Sequence, residues 1–349
     1  MDTVKLTSKP HYEILDGLRG VAAFIVVAFH LFEAHATSSL DQILNHGYLA
    51  VDFFYVLSGF VIGYAYDDRW GRMSLGDFAR RRLIRLHPMV VAGSFVGALF
   101  FYFQGCPEWP GIPSVPLWKV IGIMLIGMTL LPVPLSMDIR GWQEMHPLNG
   151  PQWSLFYEYI ANALYALFFR RVKKWVLALF VALFACATLH LTLTSPQGDI
   201  IGGWSLDKQQ LTIGFTRLLY PFFAGLLLFR VSKLRHIKHA FPLCSLLVIV
   251  FLCLPRIGGA DGLWKNGLYD ALVIILVFPF IVYLGACGEV KGKYAPRICK
   301  FFGDLSYPLY ITHYPLIYTY TAWVNRTPNA PLSASIGYAL LTFAASVFF

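Results

Sequence analysis

The sequence predicts an all-α, polytopic membrane protein with about ten transmembrane helices plus one re-entrant or lateral segment. Three observations carry that expectation. Of 349 residues, 57% are hydrophobic and 13% are charged, against about 25% charged in an average soluble domain. Mean hydropathy is +0.59. Apolar stretches recur along the chain, many reaching the roughly 20 residues needed to cross a bilayer. No internal repeat, low-complexity tract or long linker divides the chain, so a single integral-membrane domain over 1–349 is expected.

In order, the apolar segments are 17–36, 47–66, 88–104, 152–170, 175–193, 214–230, 240–255, 267–286, 303–323 and 331–349. The last stops at Phe349 inside its apolar run, so an incomplete final helix is expected. The polar start, Met1 to Leu15, lacks the short apolar core of a signal peptide, which leaves the first span to direct insertion. Orientation comes from the basic clusters. Arg80, Arg81, Arg82 and Arg85 follow the second span; Arg170, Arg171, Lys173 and Lys174, then Arg230 with Lys233, and Lys291 with Lys293 follow later ones. If all of these face the cytoplasm, an even number of crossings separates each pair, and both termini are cytoplasmic. One apolar stretch between Arg85 and Arg170 then cannot span. The segment 119–135, with Gly122, Gly127, Pro132 and Pro134, is the expected re-entrant or lateral piece, tolerated where protein shields its backbone.

The net charge of +9 does not indicate nucleic acid, because the basic residues gather at the ends of apolar segments. Six cysteines show no CxxC or metal-ligand spacing, and the histidines no HExxH, so neither disulfides nor a metal is expected. Walker A and Rossmann glycine patterns are absent as well.

Ionisable residues inside apolar segments are costly and usually functional. The first segment holds Arg19 and His30, and the second holds Asp52. Eleven residues of helix turn through about 1100°, so Arg19 and His30 share a face about 16 Å apart. Asp52 is expected to orient His30, leaving the other ring nitrogen as a base; a buried pair that merely locks two helices is the plainer alternative. The Arg80–Pro88 loop is a candidate clamp for a polyanion, since guanidinium forks suit phosphates, though topogenic charge alone explains it equally well. Glu158 lies inside the segment that opens with Trp153 and Ser154, and the assumed topology sets it at the depth of His30 and Asp52. Tyr310 and His313 are i, i+3 neighbours near the C-terminus. Trp109, Trp118, Trp142 and Trp204 are loop aromatics able to stack on sugar rings or simply to anchor at the interface. Two functional classes fit these residues: an enzyme with an anionic cofactor, or a proton-coupled transporter or flippase using them as a relay.

Taken together, these residues resemble the acyltransferase 3 family of integral-membrane acyltransferases over nearly the whole chain. Arg19 and His30 fit its arginine, ten residues, histidine signature, and Gly47–Phe60 its second motif. Arg81, Arg82, Arg85 and Pro88 fit the basic loop, Trp153-Ser154-Leu155 with Glu158 the next motif, and Ser306–Tyr310 with His313 the last. The resemblance implies a ten-helix acyltransferase of the bacterial cytoplasmic membrane. It moves acetyl from acetyl-CoA, with no metal, onto a glycan or lipid-linked carbohydrate hydroxyl. Under that reading His30, Asp52, Glu158 and His313 are catalytic or positioning. Arg19, Arg81, Arg82 and Arg85 hold the donor, and Trp153, Ser154 and Tyr310 line the substrate.

Overall fold

The computed structural model describes residues 9–348, and every extended regular element among them is a helix. Residues 1–8 and Phe349 fall outside that range, and with them much of the polar lead-in and the end of the last apolar segment. In chain order the helices are α1 (Glu13–Glu33), α2 (Ala50–Tyr66), α3 (Leu75–Phe100), α4 (Leu117–Met128), α5 (Gln152–Leu167) and α6 (Lys174–Thr194). They continue as α7 (Lys208–Val231), α8 (Ala240–Cys253), α9 (Leu263–Leu272), α10 (Phe278–Cys287), α11 (Ala295–Arg326) and α12 (Leu332–Phe348).

The multi-pass character expected from the sequence is present. Six helical rods among the described residues are long and apolar enough to cross a bilayer: 13–33, 47–66, 75–104, 174–194, 208–231 and 260–287. That is fewer than the about ten read from hydropathy. Of the remaining helices that hold expected spans, α5, α8 and α12 have 16, 14 and 17 residues, and α11, which holds 303–323, has 32. The segment that had to be non-spanning gives α4, a helix of 12 residues. At 1.5 Å per residue it is roughly 18 Å long, short of a hydrocarbon core of about 30 Å. It ends in a left-handed turn at Leu130 (φ 63°) before an extended run through Pro134.

One boundary changes the reading of the basic cluster. Arg80 to Arg85 are not in a loop but on the first turns of α3, and Pro88 lies inside that helix rather than starting it. A capping box fixes the earlier start: Ser74 Oγ accepts from the Asp77 amide at 3.1 Å, and Asp77 Oδ2 accepts from the Ser74 amide at 3.1 Å. Helical spacing sets Arg85 about 40° from Arg81 and about 60° from Arg82, so the three share one broad face of α3.

Two pairings frame the interior. α1 lies along α11, and α2 along α7. The α2–α7 crossing is close because each helix offers a glycine: a Cβ at Gly59 would run into the Phe222 carbonyl, and one at Gly225 into the Val56 carbonyl. Internal prolines free carbonyls on two other rods, and neighbours recover them. Pro279 cannot donate to the Ile275 carbonyl, which takes the Tyr220 hydroxyl at 2.8 Å beside the π-helical turn Val273–Val277. Pro315 likewise frees the Ile311 carbonyl, which accepts from Asn149 Nδ2 at 2.8 Å. That bond ties α11, two residues from His313, to the loop before α5.

Candidate functional site

α1 and α11 carry the two histidines to one place. The His30 and His313 rings stack at 5.7 Å between centroids and 26° between planes. Tyr314 stands edge-on to both, at 4.7 Å from His30 and 5.6 Å from His313. The backbone carbonyls of Leu309 (3.1 Å) and Tyr310 (2.9 Å) face His313 Nδ1. Carbonyls only accept, so Nδ1 carries the hydrogen and Nε2 the lone pair. That buried Nε2 makes no hydrogen bond.

The expected pairing of His30 with Asp52 is not what the structure holds. His30 Nδ1 meets Glu33 Oε2 at 2.6 Å, one helical turn along α1. Asp52, fully buried, instead takes Arg217 of α7: Nη2 to Oδ2 at 2.7 Å and Nε to the same oxygen at 3.2 Å. Arg217 also donates to the carbonyls of Tyr48 (2.7 Å) and Gly202 (3.2 Å), and its guanidinium lies 5.2 Å from the Trp153 ring. The physical reason is partner strength. A guanidinium with several donors satisfies a dry carboxylate far better than a neutral imidazole does.

Glu158 is likewise not level with His30. It faces the arginines of α3: Arg82 Nη2 donates to Glu158 Oε1 at 2.9 Å, and Ser58 Oγ donates to the same oxygen at 2.7 Å. Ser58 lies six residues beyond Asp52 on α2, roughly 9 Å along the helix, so Glu158 sits about that much deeper than the level assumed for it.

Two cavities organise these groups. A basic chamber of about 120 Å³ is lined by Arg19, Arg82, Arg85, Ser58, Glu158 and Tyr307, among others. Arg19 is steadied by Asp16 at 2.9 Å. Arg81 does not line this chamber. An aromatic chamber of about 460 Å³ is lined by His30, Glu33, Trp142, Trp153, Trp204 and Tyr314, with Glu144 and Arg217 in its wall. Val51 and Tyr310 line both. The Tyr310 hydroxyl is held at that junction by Ser154 Oγ at 2.8 Å; Ser154 spends its own hydrogen on the Pro151 carbonyl at 2.9 Å, so Tyr310 is the donor.

The loop between α4 and α5 supplies one more buried acid. Glu144 Oε1 accepts the Tyr318 hydroxyl at 2.6 Å, while Oε2 makes no hydrogen bond. Arg140, 3.6 Å away, is committed to the Pro147 carbonyl and Gln104 and lies over the Tyr318 ring. Burial outweighs that nearby cation and pushes the Glu144 carboxyl up to about 7.

Of the residues singled out from sequence, the structure brings His30, His313, Trp153 and Tyr310 round the aromatic chamber and its edge. It brings Arg19, Arg82, Arg85, Glu158 and Ser154 round the basic one. Glu33, Arg217, Tyr314 and Glu144 were missed. A signal existed for two of them: Glu33 follows His30 at i+3, and Arg217 is an intramembrane arginine by the same rule that flagged Asp52.

Comparison with known proteins bears on this arrangement. The acyltransferase 3 family model, described as an acyltransferase domain, matches residues 12–349. A Rhizobium radiobacter protein named Protein 2 in picA locus is 34% identical over 182 residues, covering 48% of this chain and 89% of that protein. Acyltransferase MdmB of Streptomyces mycarofaciens is 28% identical over 46% of this chain and 40% of its own length. The peptidoglycan O-acetyltransferase OatA of Listeria monocytogenes is 22% identical over 92% of this chain, which spans 52% of it. No solved structure matches. The chain belongs to the acyltransferase 3 family and is a multi-pass membrane acyltransferase, so of the two functional classes left open by its residues the enzyme is the one that holds.

Proposed function

We propose that this member of the family moves an acetyl group from acetyl-CoA to a hydroxyl of a cell-surface or lipid-linked carbohydrate, at the bacterial cytoplasmic membrane. The observation that carries the reading is the meeting of two unlike chambers at Val51 and Tyr310. Arginines Arg19, Arg82 and Arg85 suit the phosphates of a CoA donor at the basic mouth. A space of about 120 Å³ suits phosphate oxygens and a slender pantetheine arm, with the adenosine outside it. The positive-inside pattern supports a cytoplasmic mouth and cytoplasmic termini. The wider chamber, with Trp142, Trp153 and Trp204, offers flat apolar faces for a sugar ring. The acceptor class is further supported by the relative named for peptidoglycan O-acetylation.

In this reading His30 Nε2 removes the proton of the acceptor hydroxyl as its oxygen attacks the thioester carbonyl. The C–S bond breaks, and the imidazolium returns that proton to the departing sulfur. Tyr310 and Val51 form the threshold that the thioester must reach. Asp52 acts one step back, by holding Arg217 in the chamber wall. Arg81, off the chamber wall, serves the outer part of the donor.

Thermal unfolding of the purified protein tests the donor half. Acetyl-CoA at a hundred times its Kd should stabilise by about 2.7 kcal/mol, and a response that falls to about half in Arg82→Ala at the same concentration supports the arginine mouth. No response to acetyl-CoA or CoA would sink the donor assignment. Mass analysis of surface glycans from cells with and without the protein tests the acceptor half: an acetyl increment on a carbohydrate that disappears with the protein is the expected result.

A further inference from the structure

We infer that Glu33 is the positioning residue for His30, the part that Asp52 was expected to play, and that it does so by fixing the imidazole with Nε2 free and by balancing the positive charge the ring acquires. The inference rests on the proposed acyl-transfer chemistry for its purpose, though its geometry stands without it.

Three observations converge. The contact is short, Nδ1 to Oε2 at 2.6 Å, and a carboxylate can only accept, so the hydrogen sits on Nδ1. The other nitrogen is thereby a lone pair, the form a general base needs. Both residues line the aromatic chamber, so the pair sits where an acceptor would stand. His30 also lies in the last turn of α1, whose carbonyl end favours a positive charge.

The competing groups are accounted for. Asp52 is spent on Arg217. Glu144 is tied to Tyr318 across the chamber. His313 presents a ring face to His30 and donates its own Nδ1 hydrogen to backbone, while Tyr314 and Phe29 meet the ring edge-on. Glu33 is the carboxylate that hydrogen-bonds this ring. Glu33 itself is half-exposed, at 45%, so its own burial does not account for its place beside a ring that is only 17% exposed. A purely architectural role would therefore be a poor use of it.

Glu33 acts through another residue, so its test needs a readout that a structural role would not move. The purified full-length protein is treated with diethyl pyrocarbonate over pH 5–8, and carbethoxylation of His30 is followed by peptide mass spectrometry in the wild type, Glu33→Gln and Glu33→Asp. Removing the neighbouring negative charge should move the half-reaction point to lower pH in Glu33→Gln. Glu33→Asp should fall between that variant and the wild type. An unmoved midpoint in Glu33→Gln overturns the assignment. In parallel, acetyl release from acetyl-CoA is assayed with membranes carrying the native acceptor, where Glu33→Gln should lower turnover about 10- to 100-fold without raising the donor KM. A shifted midpoint with no acetyl transfer by the wild type would leave the His30–Glu33 pair standing and remove the acyl-transfer reading. Transfer with unchanged turnover in Glu33→Gln would do the reverse.

Discussion

In the basic chamber, charge is answered by charge: Arg82 of α3 by Glu158 of α5, and Arg19 by Asp16 one turn back on α1. In the aromatic chamber the wall is mostly rings, and its ionisable groups are paired edgewise, Arg217 with Asp52 and His30 with Glu33. The first arrangement suits a polyanion, which competes for guanidinium groups already held in place. The second suits a neutral ring lying beside a base. Where the two spaces meet, only Val51 and the tethered Tyr310 line both. Under the proposed function, that division keeps a highly charged donor and an uncharged acceptor each out of the other's environment.

The largest effect should come from the base. His30→Ala should lower acetyl transfer about a thousandfold, within the range of general-base losses, while thermal stability stays close to that of the wild type. Transfer at the wild-type rate in a folded His30→Ala protein would dissolve the distinction between the chambers, because the wider one would then hold no chemistry.

Asp52→Asn should act on stability instead. It strands the Arg217 guanidinium, which is almost fully buried, and loss of one partner of a buried pair costs about 3–5 kcal/mol. Denaturant unfolding reads this directly. A loss well under about 1 kcal/mol would mean that water reaches Arg217 and that the chamber wall is wetter than the geometry implies.

How much of this was legible beforehand follows from what each signal measures. Hydropathy located every apolar rod, because transfer cost is a property of composition. It does not by itself decide which of them cross: six are long and apolar enough, while α8 is as apolar but has only 14 residues. The arginines are legible in the sequence, but their loop is a helix start: Pro88 reads as a boundary, while the Ser74–Asp77 capping box is what sets the start. Asp52 is fully buried and Glu158 partly buried, and each is paired with an arginine. Their partners were misassigned, because partner choice depends on which helices face each other, and α2 faces α7 through Gly59 and Gly225. Nothing in the spacing of Asp52 and Arg217, 165 residues apart, could announce that.

A third test uses the loop that closes the aromatic chamber. Burial raises Glu144 to about 7 and lowers His146 to about 4, from ordinary values of 4.5 and 6.5. A raised carboxyl contributes stability that is complete below pH 4.5 and lost as pH climbs through 7. A depressed histidine contributes stability that is complete above pH 6.5 and lost as pH falls through 4. Each shift corresponds to roughly 3 kcal/mol, and the two slopes oppose each other between pH 4.5 and 6.5. Relative to the wild type, Glu144→Gln should therefore lose stability on acidification over that window, and His146→Gln should gain it. Slopes of the same sign in the two variants would contradict burial of one of the two groups.

The smallest effect, and the sharpest for the basic chamber, concerns Arg82 and Glu158 as a pair. If Arg82 holds donor phosphate, Glu158 competes for it, since Glu158 Oε1 already accepts from that guanidinium at 2.9 Å. Arg82→Ala should weaken acetyl-CoA binding about tenfold, equal to about 1.4 kcal/mol. Glu158→Gln should move the other way and tighten binding severalfold, because the arginine keeps its position through the amide oxygen but loses the competing charge. If Glu158 instead orders Arg82 for the donor, both variants weaken binding together. Isothermal titration with CoA separates the two cases whatever happens to turnover, and the opposite signs are the expected outcome. A matched loss would recast the salt bridge as scaffolding for the donor site rather than a rival to it.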